Sequence, residues 1–130
     1  MSPAMPWLLL CIGACAGAVA RWRLSLWLNT GTHWLPVGTL VCNLAGGWMI
    51  GFLVAMFQAM PQIDPVWRLA LITGFLGALT TFSTFSMETV QLLQSDRLGQ
   101  ALALTALHLA GSLLLTWVGL RCGEFAMAAR

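Results

Sequence analysis

The chain contains no lysine and no tyrosine, and its four acids, Asp64, Glu88, Asp96 and Glu124, face only six arginines in 130 residues. No basic tract exists to hold nucleic acid or an anionic surface. Charged residues make up 8% of the chain and hydrophobic ones 59%, a balance too apolar for a soluble domain of this length and typical of an integral membrane protein. His33 and His108 have no obvious carboxylate partner, and no nucleophile stands with a base and an orienting acid, so an enzyme is not expected. Cys11, Cys15, Cys42 and Cys122 form no CxxC pair, and they read as small buried residues rather than as metal ligands.

What is present is hydrophobic length. A helix crosses the roughly 30 Å hydrocarbon core in about 20 residues, and four such spans fit, at about 6–28, 36–59, 66–93 and 98–120. The expected architecture is an all-α, multi-pass membrane protein with a single four-helix transmembrane domain. Short connections rich in breakers, such as Met60-Pro-Gln-Ile-Asp-Pro, imply antiparallel neighbours and termini on one side. Ile12-Gly-Ala-Cys15 resembles a lipoprotein cleavage box, but no basic side chain precedes Arg21, so the segment reads as a retained spanning helix. Trp7, Trp22, Trp27, Trp34, Trp67 and Trp117 cluster at predicted span ends, where indole rings anchor at the headgroup level. Gly13-x-x-x-Gly17 and Gly47-x-x-x-Gly51 predict close helix packing.

Orientation follows the arginine bias across the loops. Arg68, Arg121 and Arg130 lie on the side of the termini, and Arg21, Arg23 and Arg97 lie on the other. An equal count predicts insertion in both directions, hence an antiparallel pairing of two copies. Such a pair reproduces the inverted repeat of larger transporters.

The third span carries Gly74-Phe-Leu-Gly77-Ala-Leu-Thr80-Thr81-Phe82-Ser83-Thr84-Phe85-Ser86-Met87-Glu88, poor material for an unbroken helix. Irregular backbone at membrane depth survives only around protein or a water-filled cavity, so a break near the middle of this span implies a site. Gly77 to Thr80 offer carbonyls for a cation, and Thr81, Ser83 and Thr84 suit the N-cap of a restarted helix. Phe82 and Phe85 share a helical face, and their positive ring edges favour a small anion.

Polar residues also lie inside the other spans. Thr39 and Asn43 lie one turn apart on the second span, and the local sequence leaves an interhelical hydrogen bond and pore lining both open. Thr105, His108, Ser112 and Thr116 form one stripe on the fourth span, readable as a track or as packing contacts. Arg21 and Arg23 either snorkel or lend a positive field to a vestibule. Glu88 is expected to pair with an arginine.

Gly74-x-x-Gly77-x-x-Thr80-Thr81-Phe82-Ser83-Thr84-Phe85 resembles the signature of the small dual-topology fluoride ion channels, the Fluc/CrcB family. Gly17-Ala18-x-x-Arg21 and Gly38-Thr39-x-x-x-Asn43-x-x-Gly46 are similar to that family's motifs on the first two helices, in the expected order. Trp22 departs from the tyrosine that many members carry after the arginine. The resemblance implies an antiparallel homodimer with two pores that passively exports fluoride from the cytoplasm across the cell inner membrane and excludes chloride. It implies that Phe82, Phe85 and Asn43 line the fluoride pathway, with Ser112 and Thr116 as its fourth-helix track and Arg21 in the vestibule. Thr39 and Ser83 join that path. The Gly77 and Thr80 carbonyls of both copies are implied to hold a structural sodium ion. The rival readings are a small multidrug-type proton-coupled exporter and a non-transporting assembly subunit.

Overall fold

The computed structural model describes residues 4–29 and 34–129, all helical apart from short connections. Helix α1 (Met5–Leu28) carries proline in its first turn, where the missing N–H has no partner to lose. At its end the Asn29 side chain accepts a hydrogen bond from Gly38 N–H at 2.6 Å, which ties α1 to the first turn of α2 (Val37–Ala59). The third span starts on an Asp64 N-cap, whose carboxylate accepts from Val66 N–H at 2.9 Å, with Pro65 opening α3 (Pro65–Arg68). It continues as a π-helix over Leu69–Leu76, as the short α4 (Gly77–Leu79), and after a break as α5 (Phe82–Gln94). Asp96 turns the chain with a positive φ of 57° before α6 (Leu98–Ala128).

All four spans, Met5–Leu28, Val37–Ala59, Pro65–Gln94 and Leu98–Ala128, are long and apolar enough to cross a membrane. Three match the expected limits to within a residue. The fourth was expected to stop at Leu120 and runs to Ala128 instead. Its polar end is stabilised on the helix itself: Arg121 pairs with Glu124 at 3.0 Å and lies over the Trp117 ring at 5.7 Å. At 1.5 Å per residue its 31 residues reach about 46 Å, longer than the hydrocarbon core. His33, residues 30–32 and Arg130 lie outside the described residues.

Packing divides the molecule into two helix pairs. α1 lies along the first half of the third span, and α2 lies along α6. Both seams rest on glycine. A Cβ at Gly13 or Gly17 would strike the carbonyls of Ala70 or Phe75 in the π segment, and one at Gly51 or Gly119 would strike those of Thr116 or Trp48. These contacts carry the packing role expected of Gly13, Gly17 and Gly51, because backbones in lipid approach closely only where side chains are absent. The same geometry corrects the reading of Cys11 and Cys15. Both are exposed, on the face of α1 turned away from the glycine seam, while Cys42 is buried. Of the tryptophans, Trp7, Trp22, Trp27 and Trp67 are exposed near span ends, as anchoring rings should be, while Trp117, also exposed, lies inside the lengthened fourth span.

The third span changes partners part-way. Leu76 and Leu79 pack with Cys42 in one core cluster, whereas Phe85 and Leu92 pack with Ala101 and Leu104 of α6 in another. The break lies between the two.

Candidate functional site

The third span is interrupted at Thr80 and Thr81, both extended (φ −80°, ψ 153° and φ −150°, ψ 115°). In lipid each stranded backbone group costs several kcal/mol, so each requires a partner. Three side chains provide them. Asn43 of α2 clamps Thr81 on both sides: its Oδ1 accepts from Thr81 N–H at 2.7 Å, and its Nδ2 donates to the Thr81 carbonyl at 2.9 Å. Arg21 of α1 donates through Nε to the Ala78 carbonyl at 3.0 Å. Thr81 Oγ1 accepts from Thr84 N–H at 3.2 Å and so caps α5, as expected of it; Ser83 Oγ lies 3.3 Å from the same hydroxyl.

The break takes the ordinary helical donors from all four carbonyls between Gly77 and Thr80, and Arg21 makes good the loss at Ala78. In an unbroken helix Thr81 N–H would serve the Gly77 carbonyl and Thr84 N–H the Thr80 carbonyl. Here the first is turned to Asn43 and the second to the Thr81 hydroxyl. Both carbonyls belong to the run from Gly77 to Thr80, whose carbonyls are free enough to be read as cation ligands. Among the described residues no group of three or more histidine, cysteine, aspartate or glutamate side chains converges as an alternative metal site.

The aromatic pair sits directly after the break. Phe82 and Phe85 meet edge to face with centroids 5.4 Å apart and planes at 72°. Phe85 is buried and stacks on the His108 imidazole at 4.6 Å, whereas Phe82 is 72% exposed on the flank of the chain. An outward groove of about 410 Å³ runs past both rings, bordered by Asn43, Thr80, His108 and Ser112. A second opening, of about 330 Å³, lies toward the other end and reaches Glu88, Gln91, Ser95 and Arg97.

Among the described residues Glu88 pairs with no arginine, contrary to expectation. Its Oε1 accepts from the Thr39 hydroxyl at 2.6 Å, because α2 presents Thr39 to α5 one turn before Asn43 presents its amide to Thr81. Thr39 is therefore joined to Glu88 and does not border the groove. The fourth-helix stripe divides as well. His108 and Ser112 face the groove, while the hydroxyls of Thr105 and Thr116 donate to the carbonyls of Ala101 and Ser112 one turn back. Arg21 is drawn to the break itself, and Arg23 lies over Trp27 at 5.3 Å. What reading the sequence missed is the pairing: Asn43 with Thr81, Arg21 with Ala78, Thr39 with Glu88. Each partner was visible singly, and only the polarity of intramembrane residues hinted that they must meet.

A family model described as "CrcB-like protein, Camphor Resistance (CrcB)" matches residues 8–120. The chain belongs to this family. Curated CrcB relatives named "Fluoride-specific ion channel FluC" agree over nearly the whole length. The protein of Albidiferax ferrireducens is 59% identical over 121 residues, covering 93% of this chain and 92% of its own. That of Variovorax paradoxus is 54% identical over 117 residues, with 90% and 93% covered. That of Pseudomonas aeruginosa is 53% identical over 113 residues, with 87% and 89% covered. Family membership and four membrane-spanning helices make this a multi-pass membrane protein.

Proposed function

We propose that this protein is a fluoride-selective ion channel, not an enzyme, that lets fluoride leave the cytoplasm passively through the cell inner membrane. The single observation that carries the reading is the phenylalanine pair set beside a repaired helix break, along a polar-edged groove. Fluoride is small and strongly hydrated. Its path must replace lost water with hydroxyls, amides and positive ring edges, in contacts weak enough to release it. Phe82, Phe85 and Ser112 border the groove, and Asn43 holds Thr81 against it. Thr39 and Ser83 lie just beyond it, and we place Thr116 at the far end of the track. With the Arg21 guanidinium bonded at the break, its charge favours an anion there.

A groove open along one flank is half a conduit. We propose that a second copy in antiparallel orientation closes it, consistent with the balanced arginines and with Phe82 left outward. The donor-depleted carbonyls of Gly77 and Thr80 suit a hard cation, which takes oxygen ligands. From two copies they would hold a structural sodium ion, supplying fixed positive charge beside the path.

Expression in a bacterium lacking its own fluoride exporter tests the function. Growth on fluoride medium should be restored by the wild-type chain. Failure to restore growth with the protein present in the membrane would overturn the reading.

A further inference from the structure

The opening of about 330 Å³ lies where α1 and α5 end and α2 and α6 begin, so it stands at one face of the helix bundle. One line of polar side chains joins it to the break. Asn43 holds Thr81, Thr39 stands one turn before Asn43 on α2, and the Thr39 hydroxyl donates to Glu88, which borders the opening. On the channel reading this is a mouth of the path.

Two charged side chains border the mouth, Glu88 and Arg97, and they are presented differently. Glu88 is turned inward: Oε1 accepts from Thr39 at 2.6 Å, and Oε2 is sealed from solvent. Arg97 is exposed at the turn between α5 and α6, and among the described residues its guanidinium has no ion pair and no ring beneath it. The other described arginines are occupied or elsewhere. Arg21 donates to the Ala78 carbonyl, Arg23 lies over Trp27 and Arg121 pairs with Glu124, while Arg68 borders neither opening. Asp96, next to Arg97 in the chain, turns the backbone with its positive φ and does not border the mouth. An open cation beside a mouth with low-dielectric walls raises the local concentration of anions, by a factor that salt screens away.

We propose that Arg97 gathers fluoride from the water at this mouth and so sets how often an ion enters the path. The inference rests on the channel reading above. It gives the two arginines separate tasks: Arg21 acts at the break, and Arg97 acts at the surface, before the ion has lost its water.

The test uses the full-length protein in phosphatidylcholine liposomes, which add no net surface charge. Efflux of potassium fluoride is started with valinomycin, and sodium gluconate sets the ionic strength on both sides. At about 10 mM ionic strength, where charge reaches about 30 Å, Arg97→Gln should release fluoride about threefold more slowly than wild type and Arg97→Glu about tenfold, the scale of one and two unit charges acting on a monovalent ion about 6 Å away. At about 1 M, where the reach falls to about 3 Å, both deficits should close. Arg97→Lys keeps the charge without the guanidinium and should match wild type throughout. Each variant is compared with itself across salt, so a smaller yield of folded protein does not imitate the effect. Arg97→Gln that equals wild type at low salt, a deficit that persists at 1 M, or Arg97→Lys as slow as Arg97→Gln overturns the proposal. Wild-type liposomes that release fluoride while these tests fail remove only the role of Arg97; wild-type liposomes that release none remove the channel and this inference together.

Discussion

The two halves of the third span share one chain and one membrane depth, yet they are built differently. From Leu69 to Leu79 the segment is apolar except for Thr73, most of it wound as a π-helix, and seated on the glycines of α1. From Phe82 to Gln94 it is an α-helix carrying hydroxyls, an acid and two rings, leaning on α6. The first half is a seam in which nothing larger than hydrogen fits. The second is a surface that presents chemistry. A continuous helix could not serve both partners, and the extended Thr80–Thr81 link lets the chain leave one and reach the other.

This contrast can be broken most violently in the first half. Gly17→Leu drives a side chain into the Phe75 carbonyl and should cost about 3 kcal/mol or more, leaving no monodisperse protein on size exclusion. A variant that purifies normally would deny that the first half is a seam. In the second half, Phe82→Ile or Phe85→Ile should slow fluoride flux on the order of a hundredfold, a barrier rise of ~2.7 kcal/mol, with size exclusion unchanged. If both variants conduct normally, the rings are core and not path. At the boundary, Thr81→Ala removes the cap of α5 and should lower stability by about 1 kcal/mol in thermal melts, with Thr81→Ser restoring most of it. Equal melts would mean the link is held without its cap. Outside the span, Arg121→Gln breaks an exposed ion pair and should change stability by less than about 0.5 kcal/mol, the baseline for the others.

Much of this contrast is legible in the residues themselves. The glycines and hydroxyls between Gly74 and Glu88 are wrong for an ordinary spanning helix, and the break falls among them, with Thr81 as the cap. Long-range repair is not legible there. Asn43 and Thr81 are separated by 38 positions, and Arg21 and Ala78 by 57, so no local period relates them. The π winding leaves no trace either, because the apolar run Leu69–Leu76 reads alike in either helix. Cys11 and Cys15 are exposed because their helix is seated on its glycines, not on its cysteines. Glu88 invites an arginine because charge seeks charge, yet its carboxylate takes the hydroxyl of Thr39, one turn from Asn43.

The most direct measurement is efflux from liposomes containing the purified wild-type protein, loaded with fluoride in one set and chloride in the other, in sodium buffer. The account predicts rapid release of fluoride and retention of chloride. Retention of both ions, or release of both at similar rates, would contradict it.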